Sequence, residues 1–233
     1  MSGCGAVVVA AGSSRRMGPR DKTVEPLGGR AVIDWVLDAL LAVPEIAELV
    51  VVTGPANAAT VAAALDRRDV RGRVATCRGG PTRAESVRLG LAALSDDLHL
   101  VLIHDAARPL VTPDLCLAGI HAAEARGAAV AALPASDTIK RVDSSGLVLE
   151  TLPRAELVVA QTPQVFRRDW LEAAYRGAGD AFRLVTDESA LLERAGFPVE
   201  VYPGSPENLK LTTPSDLAIA EALLARRLTA PRS

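Results

Sequence analysis

Short apolar runs alternate with helical patterns over the first 133 residues of the chain, and this alternation most constrains its fold. The first run, residues 6–11, is short and flanked by glycine, as is typical of a strand buried on both faces of a sheet. The same pattern predicts further strands at residues 49–53, 74–77, 98–103 and 128–133, and helices at residues 31–43, 56–65, 84–94 and 113–125. This order predicts a Rossmann-like α/β fold, in which a mostly parallel sheet carries helices on both faces.

The alternation stops after Leu133, where strand patterns at residues 138–142 and 147–152 flank a turn-rich tetrad. Such a pair predicts a β-hairpin, and we expect residues 134–157 to project from the sheet as an arm. Three further helices and two further strands are predicted at residues 168–175, 188–195, 214–227, 199–202 and 209–212. A length of 233 residues fits one large domain or two small ones, and we predict a single domain over residues 1–233.

Charge and cysteine content exclude several classes of protein. A net charge of -2 gives no bulk attraction to nucleic acid or to an anionic membrane, so neither is a predicted partner. Three cysteines without a CxxC pair do not suggest a disulfide framework, which predicts a reducing, cytoplasmic compartment. The apolar run at residues 6–11 is too short for a membrane span and follows no basic segment, so we interpret it as a buried strand.

The first candidate motif is AAGSSRRMG, residues 10–18, directly after the first predicted strand. Small residues allow backbone N–H groups to approach a phosphate closely, and the cations Arg16 and Lys22 follow. The motif is neither a GxGxxG fingerprint nor a Walker A loop, and its alternative interpretation is a glycine-containing turn. Only three of the 26 basic residues are lysines. This is consistent with a need for a compact ammonium at Lys22 or Lys210, or with composition bias alone.

The second motif is HDAARP, residues 104–109, at the end of the strand predicted at 98–103. Ligands of open α/β sheets bind beyond the carboxyl ends of the strands. Asp105 is therefore predicted to hold Mg²⁺, which takes one or two carboxylates and completes its shell with water and phosphate oxygens. The alternative is that Asp105 caps a turn, and no role as a base is assigned to His104.

The remaining candidates are weaker by themselves. The segment GGPTRAESV, residues 79–87, fits a base or ribose site, but Gly-Gly-Pro before a helix is also a plain turn. Thr186 precedes a predicted helix, where it fits an N-cap, and we interpret Lys140 as a solvent-facing strand residue. Other polar candidates in the second half are Asp137 and Thr138 at the start of the hairpin, Arg154 just past its end, the stretch QTPQ at residues 161–164, and Lys210 in a predicted strand.

Taken together and in this order, the motifs resemble the 2-C-methyl-D-erythritol 4-phosphate cytidylyltransferases of the non-mevalonate route to isoprenoids. The resemblance runs from about residue 5 to about residue 225 and includes HDAARP, QTPQ and the segment Asn208-Leu209-Lys210. It implies a homodimer with exchanged arms, Mg²⁺ or another divalent cation, and CTP and methylerythritol phosphate as substrates. Two departures are Ser14, where the family usually has glycine, and Asp21-Lys22-Thr23, where it has Pro-Lys-Gln.

The resemblance also implies residue roles. The nucleotide site would comprise Ala10, Ala11, Gly12, Ser14, Gly80, Arg83, Ser86, Asp105 and Ala106, with Asp105 as the metal ligand. The acceptor site would comprise Arg108, Asp137, Thr138, Thr162 and Thr186. The catalytic cations would be Arg16, Lys22 and Lys210, with Arg154 reaching in from the partner subunit.

Repulsion between two anionic reactants is the barrier that this site would have to overcome. We expect the acceptor phosphate to attack the α-phosphorus of CTP without a general base, because that phosphate is already ionised. Catalysis then depends on positioning and on charge neutralisation. The open alternatives are a nucleotidyltransferase for ribitol 5-phosphate or a molybdopterin, and a nucleotide-binding regulatory module. A dinucleotide-dependent oxidoreductase is disfavoured because no GxGxxG motif is present.

Overall fold

The computed structural model describes residues 3–12, 21–68, 70 and 72–229. The strands are β1 Cys4–Val9, β2 Pro26–Leu27, β3 Arg30–Ala31, β4 Ile46–Thr53, β5 Val74–Arg78, β6 Leu100–Asp105, β7 Ala128–Pro134, β8 Lys140–Val142, β9 Val148–Thr151, β10 Val158–Arg167 and β11 Glu200–Pro203. The α-helices are α1 Val32–Leu41, α2 Ala58–Asp66, α3 Arg83–Ala92, α4 Pro113–Arg126, α5 Arg168–Ala178, α6 Glu188–Arg194 and α7 Pro214–Thr229. Two 3₁₀ turns cover Arg154–Glu156 and Gly179–Leu184.

Seven strands form the main sheet in the order β11-β7-β10-β6-β1-β4-β5. All neighbouring pairs are parallel except the two that β10 makes with β6 and β7. One core cluster joins the sheet to α1 and α4 through side chains such as Leu37 and Ile120. A second joins the opposite face to α3, α5 and α6 through Val87, Leu171 and Leu191. The predicted fold class, a mostly parallel sheet covered on both faces, is confirmed.

The predicted hairpin is present as a separate two-stranded sheet of β8 and β9. Its turn is closed by Asp143, whose carboxylate accepts backbone N–H groups of Ser145 and Leu147, and by Gly146 at φ 89°. Both strands are exposed along their whole length. The hairpin is hydrogen bonded to no strand of the main sheet, which leaves its apolar residues in contact with solvent.

Several predicted boundaries are wrong, one predicted strand is absent, and one strand of the main sheet was missed. The first strand ends at Val9, so Ala10 and Ala11 lie in the loop that follows it. Residues 209–212 form no strand. They are an irregular segment, held to the sheet by a hydrogen bond from the Leu211 N–H to the Ala107 carbonyl. The prediction also missed β10, the antiparallel strand, because its polar stretch at residues 161–164 interrupts the apolar pattern.

Helix starts follow capping chemistry more closely than apolar periodicity. Asp187, not Thr186, caps α6, because its carboxylate accepts the Ala190 N–H. Helix α3 begins with a capping box in which Thr82 and Glu85 bond each other's backbone N–H groups. These caps fix where the first residues of α3 and α6 lie, and both helices start next to the candidate site described below. No helix within the described ranges is long and apolar enough to cross a membrane.

Candidate active site

The carboxyl ends of four parallel strands, β5, β4, β1 and β6, lie at one edge of the sheet. Val9 at the end of β1 is paired with Asp105 at the end of β6. The Ala106 N–H donates to the Val9 carbonyl at 3.1 Å, and Ala10 is buried beside this contact. The first two sequence motifs therefore meet at one place, which is the edge where open α/β sheets bind ligands.

Asp105 is the centre of a buried cluster of charges and is only 7% exposed. Its Oδ1 accepts from Arg83 Nε at 3.0 Å and its Oδ2 from Lys210 Nζ at 2.6 Å. Arg83 also donates through Nη1 to Glu188 Oε2 at 2.6 Å, and Glu188 is completely buried. One arginine therefore bridges two carboxylates, while one lysine approaches Asp105 from the more open side.

These neighbours fix the charge on Asp105. Burial alone would raise the pKa of this carboxyl, but the charges of Arg83 and Lys210 outweigh burial and hold the pKa far below its usual range. Burial lowers the pKa of the Arg83 guanidinium, but its two carboxylate partners outweigh burial and raise this pKa above its usual value. Asp105 is therefore an ionised carboxylate at neutral pH, the form that a divalent cation requires.

His104 lies behind Asp105, is fully buried and takes part in a chain of hydrogen bonds. The Asp105 N–H donates to Thr162 Oγ1 at 3.0 Å, Thr162 Oγ1 lies 3.1 Å from His104 Nδ1, and His104 Nε2 lies 3.1 Å from the Arg108 carbonyl. A carbonyl only accepts, so Nε2 carries the proton and Nδ1 accepts from the hydroxyl. Burial lowers the pKa of His104 to about 4. The ring is therefore neutral at pH 7 and serves to orient Thr162.

Arg108 is a buried guanidinium that forms no hydrogen bond to a carboxylate among the described residues. It is 9% exposed, and its Nη1 donates to the Asn208 carbonyl at 2.7 Å. Its Nε has no hydrogen-bond partner within the described part of the chain. Burial lowers its pKa, with Asp105 opposing this effect, but an arginine stays charged in proteins. A buried cation with unused donor capacity is suited to an anionic ligand.

The segment that carries Lys210 is fixed to the sheet from three directions. The Leu211 N–H donates to the Ala107 carbonyl at 2.8 Å. The Asn208 side chain donates to the Thr162 carbonyl at 2.8 Å and to Gln161 Oε1 at 3.2 Å. The second of the Asn208 bonds gives the buried Gln161 side chain a polar partner. These bonds also hold Lys210 next to Asp105, although the segment that carries Lys210 is not a strand.

The glycine pair predicted to receive the nucleotide base lies against the first loop. A Cβ on Gly79 would stand 2.2 Å from the Ala11 Cβ and 2.8 Å from Ser86 Oγ. The Gly80 N–H donates to Ser86 Oγ at 3.2 Å, and that hydroxyl donates to the Thr82 carbonyl at 2.9 Å. Only a residue without a side chain allows the two loops to approach this closely. Gly12, next along the first loop, is exposed, and no atom of the described residues would lie within 4 Å of a Cβ there.

The turn that carries Lys22 is tied to the same edge. Asn57 Nδ2 donates to the Ala10 carbonyl at 2.8 Å and to Asp21 Oδ2 at 2.9 Å. Thr23, on the other side of Lys22, is 3% exposed and lies 3.0 Å from the same amide nitrogen. Lys22 is therefore held beside the end of β1. Ser14 and Arg16 fall outside the described residues, and their predicted positions stay predictions.

Four predicted acceptor residues make no described contact with the Asp105 cluster. Asp137 and Thr138 are exposed at the base of the arm. Arg154 is exposed as well, and its Nη1 donates to the Ser136 carbonyl at 3.0 Å. Thr186 is exposed two residues before Glu188. Within one subunit, these side chains border the site or lie on the arm.

Two buried polar residues of the site were missed in the sequence. Glu188 stands in the first turn of α6, where an acidic residue is also favoured by the helix dipole alone. Asn57 stands before α2 and is typical of an N-cap, yet its side chain makes no capping bond to that helix. The position of each residue near a helix start already explains its residue type. The sequence therefore gave no sign of the distant partners that Glu188 and Asn57 bind.

A divalent cation would find one carboxylate here. The described residues contain no cluster of three His, Cys, Asp or Glu side chains that could hold a metal. The ionised Asp105 fits the first oxygen ligand of Mg²⁺, which commonly keeps water and substrate phosphates as its other ligands. Lys210 already binds Oδ2, so a cation at that oxygen would have to replace the ammonium.

Comparison with known proteins identifies the family. A family model described as 2-C-methyl-D-erythritol 4-phosphate cytidylyltransferase matches residues 4–226. The enzyme of that name from Dehalococcoides mccartyi is 43% identical over 222 residues, which cover 95% of this chain and 96% of the relative. One from a Synechococcus species is 45% identical over 224 residues, covering 96% and 98% of the two chains.

Solved structures agree with this match. The structure of 4-diphosphocytidyl-2C-methyl-D-erythritol synthase from Anaerococcus prevotii superposes with a TM-score of 0.86 at 32% identity, covering 97% of this chain and 99% of that one. The cytidylyltransferase structure from Thermus thermophilus gives a TM-score of 0.75 at 32% identity over 94% of this chain and 98% of that one. Sequence and fold therefore agree, and the chain belongs to the 2-C-methyl-D-erythritol 4-phosphate cytidylyltransferase family.

Proposed function

We propose that this chain transfers CMP from CTP to 2-C-methyl-D-erythritol 4-phosphate, giving 4-diphosphocytidyl-2-C-methyl-D-erythritol and pyrophosphate. One observation of the structure supports this beyond family membership. Ionised Asp105 and buried Arg108 lie at the same sheet edge as the Lys22 turn and the Gly79–Gly80 loop. Such an edge offers separate partners for a divalent cation, a phosphate and a nucleoside triphosphate.

The reaction forms one P–O bond and breaks another. A phosphate oxygen of methylerythritol phosphate attacks the α-phosphorus of CTP, and the bond from that phosphorus to the bridging oxygen of pyrophosphate breaks. The attacking oxygen is already ionised near neutral pH, so no side chain has to remove a proton. This agrees with the burial of His104, whose two ring nitrogens both bond within the protein. The protein contributes mainly by alignment and by placing cations where negative charge develops.

Mg²⁺ is part of the proposal, with Asp105 as its protein ligand. When bound, the ion supplies Lewis-acid stabilisation of phosphate oxygens. Arg83 holds Asp105 in place through Oδ1 and is itself held by Glu188. Asp105 is thus oriented by the protein before any ligand arrives.

The cations divide between the two substrates. Lys22 and Arg16 meet charge on the triphosphate, and Arg108 and Lys210 receive the phosphate of the acceptor. Arg108 suits this role because its Nε is unused among the described residues. Lys210 suits it because its side chain is 37% exposed. The polyol chain of the acceptor would contact the remaining predicted acceptor residues, Thr162, Thr186, Thr138 and Asp137.

Pyrophosphate release measured with CTP and a panel of polyol phosphates tests the function. We expect rapid release with methylerythritol phosphate and release at least tenfold slower with ribitol 5-phosphate. CTP binding by calorimetry without pyrophosphate release from any acceptor would contradict the proposal and favour a regulatory nucleotide-binding module. Lys22→Ala should lower kcat by about 10²–10³, the scale for losing one transition-state donor. Arg126→Ala is the control, since Arg126 precedes β7 at the opposite edge of the sheet, where it lies 3.7 Å from Glu200.

We further propose a homodimer formed through the arm. The arm exposes Leu147 at 68%, Val148 at 59% and Leu149 at 58%, and Val158 and Val159 of the adjoining β10 at 50% and 56%. Five large apolar side chains exposed on the arm and its adjoining strand are typical of a protein interface. Arg154 lies at the base of this arm. In the proposed dimer, the Arg154 of each subunit would reach the acceptor site of the other subunit.

Complementation between subunits tests the shared site. Arg154→Ala should raise KM for the acceptor and leave KM for CTP unchanged. Mixed dimers of Arg154→Ala and Lys22→Ala subunits should regain part of the activity, because one of the two sites then has both residues. Sedimentation of Leu147→Asp should give monomers, and a dimer of unchanged stability would contradict the interface.

The compartment is proposed on cysteine chemistry. Cys4, Cys77 and Cys116 are all free thiols, and two of them are buried. A reducing, cytoplasmic compartment agrees with three unpaired cysteines. Mass spectrometry of the protein alkylated directly in cell lysate should find all three as thiols.

A further inference from the structure

Asn57 is a buried amide whose polar groups all point away from the helix that it precedes. It is 0% exposed. Its Oδ1 accepts the Gly54 N–H at 2.9 Å, which fixes the amide to the end of β4. Its Nδ2 donates to the Ala10 carbonyl at 2.8 Å, just beyond the end of β1. The side chain therefore joins two neighbouring strand ends at the edge where the candidate site lies.

The same nitrogen also reaches the turn that carries Lys22. It lies 2.9 Å from Asp21 Oδ2 and 3.0 Å from Thr23 Oγ1. Asp21 closes the turn with its other oxygen, which accepts the Thr23 N–H at 2.9 Å and the Thr23 hydroxyl at 2.8 Å. Both sequence neighbours of Lys22 are thereby tied to Asn57, and the backbone of Lys22 between them is fixed with respect to β1.

The turn is anchored on its far side as well. The Ile33 N–H of α1 donates to the Thr23 carbonyl at 3.0 Å, and the Val24 N–H donates to the Asp21 carbonyl at 3.1 Å. Thr23 is 3% exposed. Buried amides in such networks are costly to leave unsatisfied, so the network holds one arrangement of the turn. Lys22 itself is half-buried.

We infer that Asn57 is a positioning residue for Lys22: it holds the Lys22 turn against the end of β1 so that the ammonium is aligned for the triphosphate. The inference rests on the proposed role of Lys22 in the transfer. Asn57 itself touches no substrate, since all its polar atoms are used within the protein. Alignment of a charged donor is worth a large factor in rate, and a shift of about 1 Å costs up to about a hundredfold.

The test compares Asn57→Leu, which keeps the volume and removes the amide, with Lys22→Ala and with the double variant. If Asn57 acts through Lys22, Asn57→Leu should lower kcat by about tenfold or more, and KM for the acceptor should stay within twofold. In the Lys22→Ala background the same substitution should change kcat by less than twofold, because there is no longer an ammonium to align. A purely structural loss would instead multiply with that of Lys22→Ala.

Thr23→Val is a second, nearly isosteric probe of the network, and it carries the test if Asn57→Leu does not fold. It removes the hydroxyl that bonds Asp21 and Asn57 and keeps the shape of the buried side chain. We expect a smaller loss of kcat that also disappears without Lys22. Thr53→Val is the matched control, because the Thr53 hydroxyl is similarly buried yet bonds the Cys77 carbonyl at 3.3 Å, and it should leave kcat unchanged.

The outcomes distinguish a failure of the proposed role of Lys22 from a failure of the inferred role of Asn57. Near-wild-type kcat in Lys22→Ala would overturn the proposed role of Lys22, and with it the inference. A large loss in Lys22→Ala together with wild-type kcat in both Asn57→Leu and Thr23→Val would overturn the inference alone. Equal losses from Asn57→Leu with and without Lys22 would also overturn it.

Discussion

Replacing Asp105 with asparagine tests whether buried charges organise the site. The substitution keeps the shape and removes one charge that faces Arg83 at 3.0 Å and Lys210 at 2.6 Å. Breaking a buried pair by removing one partner costs about 3–5 kcal/mol, because a buried charge is left uncompensated. Arg83 keeps Glu188, and Lys210 can turn toward water, so we expect the low end, about 3 kcal/mol.

The control is Asp38→Asn, whose carboxylate also faces two cations. Asp38 binds Arg30 at 2.6 Å and Arg68 at 2.7 Å, but its side chain is 45% exposed. Exposed pairs contribute about 0–1 kcal/mol. Urea unfolding at pH 7 should therefore give a loss roughly three times larger for Asp105→Asn, and its Tm should fall by about 6–12 °C. Equal losses for the two variants would refute the argument, because the two sites differ mainly in burial.

The pH dependence gives an independent check on Asp105→Asn. The folded pKa of Asp105 lies far below its usual range, while the unfolded value is about 3.9. The unfolded chain therefore binds the proton first, and the stability due to Asp105 is fully present above about pH 4 and is lost as the pH falls further. The difference in unfolding free energy between the wild type and Asp105→Asn should be constant from pH 8 to 5 and shrink below about pH 4. A difference that shrinks near pH 6 would assign the effect to another group.

Two further predictions concern the loops and the histidine behind Asp105. Gly79→Ala should destabilise the protein by about 1–3 kcal/mol through overpacking and raise KM for CTP, because its Cβ would stand 2.2 Å from that of Ala11. The control is Gly177→Ala in helix α5, where no described atom lies within 4 Å of the added Cβ. It should leave KM for CTP unchanged and stabilise the protein by up to about 1 kcal/mol, because alanine is the better helix former. Equal KM values for CTP in the two variants would contradict the close approach. His104 has a folded pKa of about 4 against about 6.5 unfolded, so the wild type should lose up to about 3 kcal/mol as the pH falls from 6.5 to 4. His104→Gln, which cannot titrate, should lack this part of the loss in urea unfolding, and an unchanged pH slope would contradict it.

The parallel part of the sheet could be predicted from the sequence because its strands are buried on both faces. Runs such as Val50 to Val52 are apolar at every position, and glycine or proline punctuates their ends. Strand β10 could not be found in the same way, since Gln161, Thr162 and Gln164 are buried through hydrogen bonds to distant residues. A polar residue in a buried strand becomes interpretable only when its partner is known.

The same limit applies to the candidate site. Asp105 was found because it lies at the carboxyl end of a predicted strand, which places it at the ligand-binding edge of a parallel sheet. Glu188 was missed because its partner Arg83 lies 105 positions away, and Asn57 because Ala10 lies 47 positions away. Local patterns give the residues at the strand ends, whereas the residues that hold them in place depend on the tertiary fold.

The arrangement of charges also separates a fixed cation from a movable one. Arg83 is bound by Asp105 and Glu188 and is largely buried, so giving up either carboxylate would strand a charge in the interior. Lys210 has one described carboxylate partner and a side chain that is 37% exposed, so it can turn toward an incoming phosphate while Arg83 still compensates the charge of Asp105. Arg83 therefore orients Asp105, although the resemblance implies a place for it among the nucleotide-binding residues. In the proposed reaction Lys210 would serve the acceptor, and the ammonium that neutralises Asp105 in this structure would then neutralise a phosphate.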